Sequence, residues 1–189
     1  EGHIDSLNSD QEGIILLEDT PFYAEGGGQV GDIGVISSDT LRAKVLNTQK
    51  NSKGKIMHIV NVIEGTAKVG MDVTAEVNSQ MRIDVARNHS VTHIVHQALK
   101  DVIGDHVNQA GSLVMSDRMR FDFTHYEGVS KEQIDRIEDI VNNKILEGLE
   151  VKAIETTLDE ARSMGAQALF DEKYGDKVML IGAVTPANA

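Results

Sequence analysis

Cysteine and tryptophan are absent from this 189-residue chain, proline occurs twice, and aromatic residues make up 4% of it. Without cysteine, no disulfide can brace the fold and no thiolate within these residues can act as nucleophile or metal ligand. No apolar run approaches the roughly 20 residues that a membrane-spanning helix needs. Residues 1–10 also lack the basic-then-apolar pattern of a secretion signal. Basic charge is scarce as well: 18 Lys and Arg stand against 30 Asp and Glu, for a formal charge of −12. That sign is wrong for a protein that grips nucleic acid mainly by neutralising phosphates. The expectation is a soluble cytoplasmic protein with no membrane partner, and its 40% hydrophobic content is ample for a buried core.

The charge is uneven. Residues 1–78 carry six basic against twelve acidic side chains and residues 126–189 carry seven against thirteen, whereas residues 79–125 hold five of each. The neutral middle also holds five of the seven histidines, His89, His93, His96, His106 and His125, and is the first place to look for chemistry. His3 and His58 lie in the acidic N-terminal part and receive no role.

Short β-type runs at 13–19, 31–37, 41–48, 55–62 and 71–77 are separated by Gly and Asn/Ser/Asp clusters, including Glu64-Gly65, as hairpin turns require. They predict a small antiparallel barrel over residues 1–78. From about Asn78 to Arg82 the apolar period changes from two to 3.6, which sets the start of a second domain, 79–189. Val91, Ile94, Val95, Ala98, Val102 and Ile103 form one helix face, and Gly104 is a stop signal. β-like segments follow at 112–114 and 119–124. Ser130 and Gln133 form a capping box for a second helix, with Ile134, Ile137, Ile140, Val141 and Ile145 as its buried side. A strand at 151–156, a short helix capped by Thr157 and Glu160, and a last strand at 177–182 complete an α+β pattern.

His89 and His93 sit four apart, so one helix face presents both imidazoles one turn from each other. Two such nitrogens can reach one zinc ion at about 2.0–2.1 Å each, although surface or packing histidines give the same spacing. A zincin protease needs Glu directly after the first His, and Ser90 stands there. That reading is excluded. His96 is rotated toward the apolar side, as a buried, hydrogen-bonded histidine would be; His125 faces either the site or solvent. The run Gly26-Gly27-Gly28 has neither a P-loop ending nor a dinucleotide fingerprint. Beside it, Phe22 and Tyr23 offer stacking surface and Gln29 offers a paired donor and acceptor, so the loop either reaches over an active site or is a flexible hairpin tip.

Several ordered segments resemble the editing region of alanyl-tRNA synthetases and, more distantly, the free-standing AlaX trans-editing proteins. Thr20-Pro-Phe-Tyr-Ala-Glu-Gly-Gly-Gly-Gln-Val-Gly-Asp32 looks like the glycine-rich loop of that family's barrel, and Arg87-Asn-His-Ser-Val-Thr-His93 like its first metal motif. His106-Val-Asn-Gln-Ala-Gly-Ser-Leu-Val114, Arg120-Phe-Asp-Phe-Thr-His125 and Ala168-Leu-Phe-Asp-Glu-Lys-Tyr-Gly-Asp176 match in order. The resemblance implies an α+β fold: a small antiparallel β-barrel, then an editing core of antiparallel sheet packed with helices, as in the editing domains of threonyl- and alanyl-tRNA synthetases. It implies zinc on His89 and His93, with the remaining Cys and His of a Cys-x-x-x-His motif expected beyond Ala189. It also implies Thr92, Gln109 and Ser112 as the polar residues of the catalytic site, and Gly26, Gly27, Gly28 and Gln29 as a substrate loop.

The reaction so implied is hydrolysis of the ester that joins a wrong amino acid, serine or glycine, to tRNA(Ala). The implied partners are that mischarged tRNA and the other domains of a parent synthetase, one of which attaches alanine with ATP. A free-standing AlaX-type deacylase and a catalytically silent tRNA-positioning module are the alternatives.

Overall fold

A computed structural model describes residues 4–163 and 177–184. In chain order the elements are β1 (Ser6–Asn8), β2 (Glu12–Ile15), β3 (Gly34–Ser38), β4 (Leu41–Lys50), β5 (Ile56–Lys68), β6 (Thr74–Val77), α1 (Ser79–Ile103), β7 (Gln109–Val114), β8 (Met119–Phe123), α2 (Lys131–Leu146), β9 (Glu150–Thr157), α3 (Leu158–Ser163) and β10 (Lys177–Val184). They fall into two compact units. One takes the residues up to His93 together with Ala110–Phe123, and the other takes Ile94–Gln109 and the residues from Thr124 onward. The fold is α+β, and the pairs β1–β5, β2–β5, β3–β4, β3–β6, β4–β5 and β9–β10 are all antiparallel.

In the first unit the strands run β1-β5-β4-β3-β6, and β2 is also paired to β5. Strand β4 shows why: Leu41, Ala43 and Val45 are buried while Arg42, Lys44 and Leu46 face outward, the period of two that a one-sided strand demands. These three pack with Leu7, Phe22, Ile36, Val60 and Val62 in one apolar core. Each Val, Leu, Ile or Phe there contributes about 1.5–3 kcal/mol by leaving water.

The expected barrel is not closed. Among the described residues β6 pairs with β3 and β1 with β5, and no pairing joins the two ends of the sheet. The 13-residue β5 takes three partners, β4 along most of its length, β2 at His58–Asn61 and β1 at Thr66–Lys68, and β1 and β6 remain the two ends of the path.

Gly65 is a second departure: it lies inside β5 and does not end a strand. It has φ +80°, and a Cβ there would overlap the Thr40 carbonyl oxygen, so the strand bends close past its neighbour at that residue.

Helix α1 begins after Asn78, whose side-chain oxygen accepts the Met81 N–H at 3.0 Å. It ends before Gly104, whose N–H reaches the Lys100 carbonyl at 2.9 Å. Of the expected apolar face Ala98 is buried, and Val91, Ile94, Val95, Val102 and Ile103 are half-buried. The caps read from the sequence are both formed: Ser130 and Gln133 bond reciprocally at the start of α2, as do Thr157 and Glu160 at α3. The buried side foreseen for α2 is narrower than its periodicity suggests. Val141 alone is buried, Ile137 and Ile140 are half-buried, and Ile134 and Ile145 are exposed. Strands β9 and β10 form an antiparallel pair from Lys177 opposite Thr157 to Val184 opposite Glu150. The motif Ala168 to Asp176 lies outside the described residues. Among those described, no helix is long and apolar enough to cross a membrane.

Candidate functional site

In the first turns of α1 the four-residue spacing does what helix geometry requires. The His89 and His93 rings stack, with centroids 5.3 Å apart and planes 23° from parallel. His89 is half-buried and His93 exposed, so the pair sits at a surface and not in a dry core. Burial pushes the His89 imidazole below its usual range, which favours at neutral pH the uncharged form that can ligate a metal. Among the described residues no group of three or more His, Cys, Asp or Glu side chains is placed to hold a metal ion. The donor chemistry here amounts to two imidazoles, which fit half of a tetrahedral zinc set.

The glycine loop reaches this pair. Gly26 and Gln29 exchange backbone hydrogen bonds at 2.9 and 3.1 Å, and the two residues between them, Gly27 and Gly28, have φ +58° and +79°. This is the left-handed two-residue turn that glycine makes at low cost. The turn is seated on β7: the Val114 N–H donates to the Gly28 carbonyl at 2.8 Å, and the Val30 N–H to the Val114 carbonyl at 3.1 Å. Any Cβ on Gly28 would overlap the Ser112 hydroxyl and stand 2.8 Å from the Ser112 carbonyl oxygen. So held, Gln29 extends its side chain to His89, with Oε1 2.7 Å from Nδ1.

Ion pairing fixes the rest of the loop. Asp32, 7% exposed, accepts the Tyr23 N–H at 2.7 Å and pairs with the Arg82 guanidinium, which also donates to the Pro21 carbonyl at 2.6 Å. Arg82 lies on α1, two turns before His89, so one salt bridge ties the loop to the helix that carries the imidazoles. His58 anchors the loop's start. Fully buried, it bonds the Thr20 hydroxyl at 2.8 Å and the Ile15 carbonyl at 2.9 Å, and Phe22 meets its ring edge-on. Asp32, Arg82 and His58 were missed by sequence reading. The contacts of Arg82 with Asp32 and Pro21 and of His58 with Thr20 and Ile15 join residues 38 to 61 positions apart, and local spacing carries no trace of that.

Other sequence-predicted residues are placed as follows. Ser112 lies against Gly28, as above. Thr92 is 5% exposed, and its hydroxyl donates to the Asn88 carbonyl one turn back at 2.8 Å; only its lone pairs remain to meet another group. Asn88 donates from its amide to the Met115 carbonyl at 2.8 Å, pinning α1 to the end of β7. Gln109, half-buried, opens β7 and belongs to the second unit. Phe22 is core at 2% exposure and offers no stacking surface, a correction that follows from its packing against His58. Tyr23 is partly exposed, with its hydroxyl on the Gly26 carbonyl at 3.0 Å.

In the second unit His96 is buried and its Nε2 is 3.4 Å from the Val107 carbonyl, as its position toward the apolar side implied. His106 and His125 share a ring-nitrogen contact of 2.9 Å, with the Tyr126 ring stacked on His106.

Residues 1–81 match the sequence pattern of the family described as tRNA synthetases class II (A). Over 178 residues the chain is 49% identical to an alanine-tRNA ligase of Alkaliphilus oremlandii, 50% to one of Acetivibrio thermocellus and 53% to one of Carboxydothermus hydrogenoformans. Each of these matches covers 94% of this chain and 20% of the relative. Almost the whole of this sequence is therefore similar, at about half of its positions, to one fifth of an alanine-tRNA ligase.

Proposed function

We propose that this chain is the editing region of an alanyl-tRNA synthetase, hydrolysing the ester of Ser-tRNA(Ala) and Gly-tRNA(Ala), with His89 and His93 as two of the ligands of a zinc ion. The observation that carries the reading is the stacked imidazole pair on one face of α1 with the Gln29 loop closed against it. Its support from comparison is the similarity to alanine-tRNA ligases over 94% of the chain.

The physical need for such a site is clear. A synthetic pocket sized for alanine cannot exclude the smaller glycine, and an apolar pocket rejects the added hydroxyl of serine poorly. Each difference is worth about 1–3 kcal/mol. A second site that hydrogen-bonds the serine hydroxyl discriminates more strongly, because alanine would leave its buried polar groups unpaired.

In hydrolysis, water adds to the ester carbonyl carbon, the bond to the ribose oxygen breaks, and that oxygen takes a proton to restore the terminal hydroxyl. Zinc, when bound, supplies Lewis acidity of the kind that polarises a carbonyl or raises the acidity of water. His89 and His93 would hold it. The loop residues 26–29 lie against His89 through the Gln29 side chain, and by the resemblance Gln109, Ser112 and the Thr92 lone pairs are the candidate partners of the serine hydroxyl. The net negative charge leaves tRNA binding largely to other domains of the parent synthetase.

The test is release of serine and alanine from Ser-tRNA(Ala) and Ala-tRNA(Ala) by the intact synthetase and its Gln109→Ala variant. The expected result is serine release by the parent and reduced serine-over-alanine selectivity in the variant. Unaltered selectivity removes Gln109 from recognition, and absence of serine release favours the silent positioning module.

A further inference from the structure

We propose that Gln29 is a positioning residue that sets the tautomer of His89: its Oε1 accepts the Nδ1 proton, so the Nε2 lone pair is the one left to ligate a metal. The inference rests on the reading of His89 as a working imidazole of the editing site, and it adds a role that the glycine loop's sequence does not announce.

Free neutral imidazole side chains favour the proton on Nε2, so a histidine meant to ligate through Nε2 needs an acceptor at Nδ1. Gln29 meets that need at 2.7 Å. It does so from a backbone already fixed. Gly26 pairs with Gln29 in both directions, the flanking residues Gly28 and Val30 bond to Val114, and Asp32 is clamped by Arg82 and the Tyr23 N–H. The entropy of ordering the loop is therefore met elsewhere, and the side chain loses little on making its one bond. The absence of a Cβ at Gly28, where one would overlap Ser112, lets the loop approach β7 closely enough for Gln29 to reach α1. The arrangement assigns the loop a structural consequence at the site, separate from any contact with substrate.

The experiment is long-range proton–nitrogen NMR of the 15N-labelled 189-residue chain at a pH where the imidazoles are neutral, on the parent, Gln29→Met and Gln29→Glu. Methionine keeps the length of the side chain and removes the acceptor, while glutamate keeps an acceptor. Backbone amide spectra check that each variant is folded. The expected result is His89 protonated on Nδ1 in the parent and in Gln29→Glu, and shifted to Nε2 in Gln29→Met. An Nε2-protonated parent, or a tautomer unmoved in Gln29→Met, overturns the proposal.

Zinc chloride titration of the intact synthetase, as parent, Gln29→Met, Gln29→Glu and His89→Ala, gives the second readout. Weakening by about 10–100-fold in Gln29→Met, with recovery in Gln29→Glu, is the effect expected of losing a group that orients a metal ligand. Equal affinities in parent and Gln29→Met overturn the positioning role. Zinc affinity unchanged in His89→Ala sinks the metal reading itself, and the tautomer measurement still decides the role of Gln29.

Discussion

Removing Arg82 should destabilise the first unit more than neutralising its partner does. Asp32 is 7% exposed, so its carboxylate has given up most of its water, and its charge is answered by the Arg82 guanidinium and the Tyr23 N–H. Arg82→Ala leaves that carboxylate buried with one backbone donor, a class of change that costs about 3–5 kcal/mol when both partners are buried. Arg82 itself is 44% exposed, and water can enter where it leaves, so about 2–3 kcal/mol is expected here. Asp32→Asn retains an oxygen for the Tyr23 N–H and removes the charge, at about 1–1.5 kcal/mol. The double variant should cost less than the sum of the singles, with a coupling of about 1 kcal/mol or more. Urea unfolding followed by circular dichroism measures all three. An Arg82→Ala cost below about 0.5 kcal/mol, or strictly additive singles, would refute the claim that this pair clamps the loop to α1.

Gly28→Ala should cost at least 1 kcal/mol more than Gly27→Ala in thermal unfolding. Both positions have positive φ, worth about 1–2 kcal/mol for a non-glycine residue, but only at Gly28 does the added methyl meet Ser112; equal costs would remove the close approach from the account. The pH dependence has a definite sign. Burial pushes His58 below its usual pKa, outweighing the opposing bond to the Ile15 carbonyl, so the unfolded chain takes its proton first. Stability contributed by neutral His58 is full above about pH 6.5 and is lost as pH falls from there through its lower folded value. Urea midpoints at pH 7.5 and 5.5 should differ less in His58→Gln than in the parent, and an undiminished difference contradicts the assignment. Ser130→Ala, which opens the capping box of α2, should cost about 1 kcal/mol, measured by the same unfolding; no loss would mean that the cap is dispensable.

What was legible in the sequence was whatever is set by neighbours within about four residues. The start and stop of α1, both capping boxes and the facing of His89 with His93 follow from spacing alone, and the structure has them. Closure of the sheet was not legible, because it turns on whether β6 meets β1, a pairing between strands at opposite ends of this stretch of sequence that local spacing does not encode. Gly65 reads as a turn in sequence because strand bends and turns draw on the same freedom of glycine, and only the Thr40 carbonyl beside it distinguishes them. The width of the apolar stripe on α2 was overstated for a related reason: periodicity says which side chains share a face, and not how much of that face is covered. The loop's supports were equally hidden, since Asp32 with Arg82 and Gln29 with His89 join residues 50 and 60 positions apart.

The most direct test of the central claim is deacylation of Ser-tRNA(Ala) by the intact synthetase beside its His89→Ala/His93→Ala double variant. The account expects the parent to release serine and the double variant to lose that release while still attaching alanine to tRNA. Equal rates of serine release from the two would contradict it.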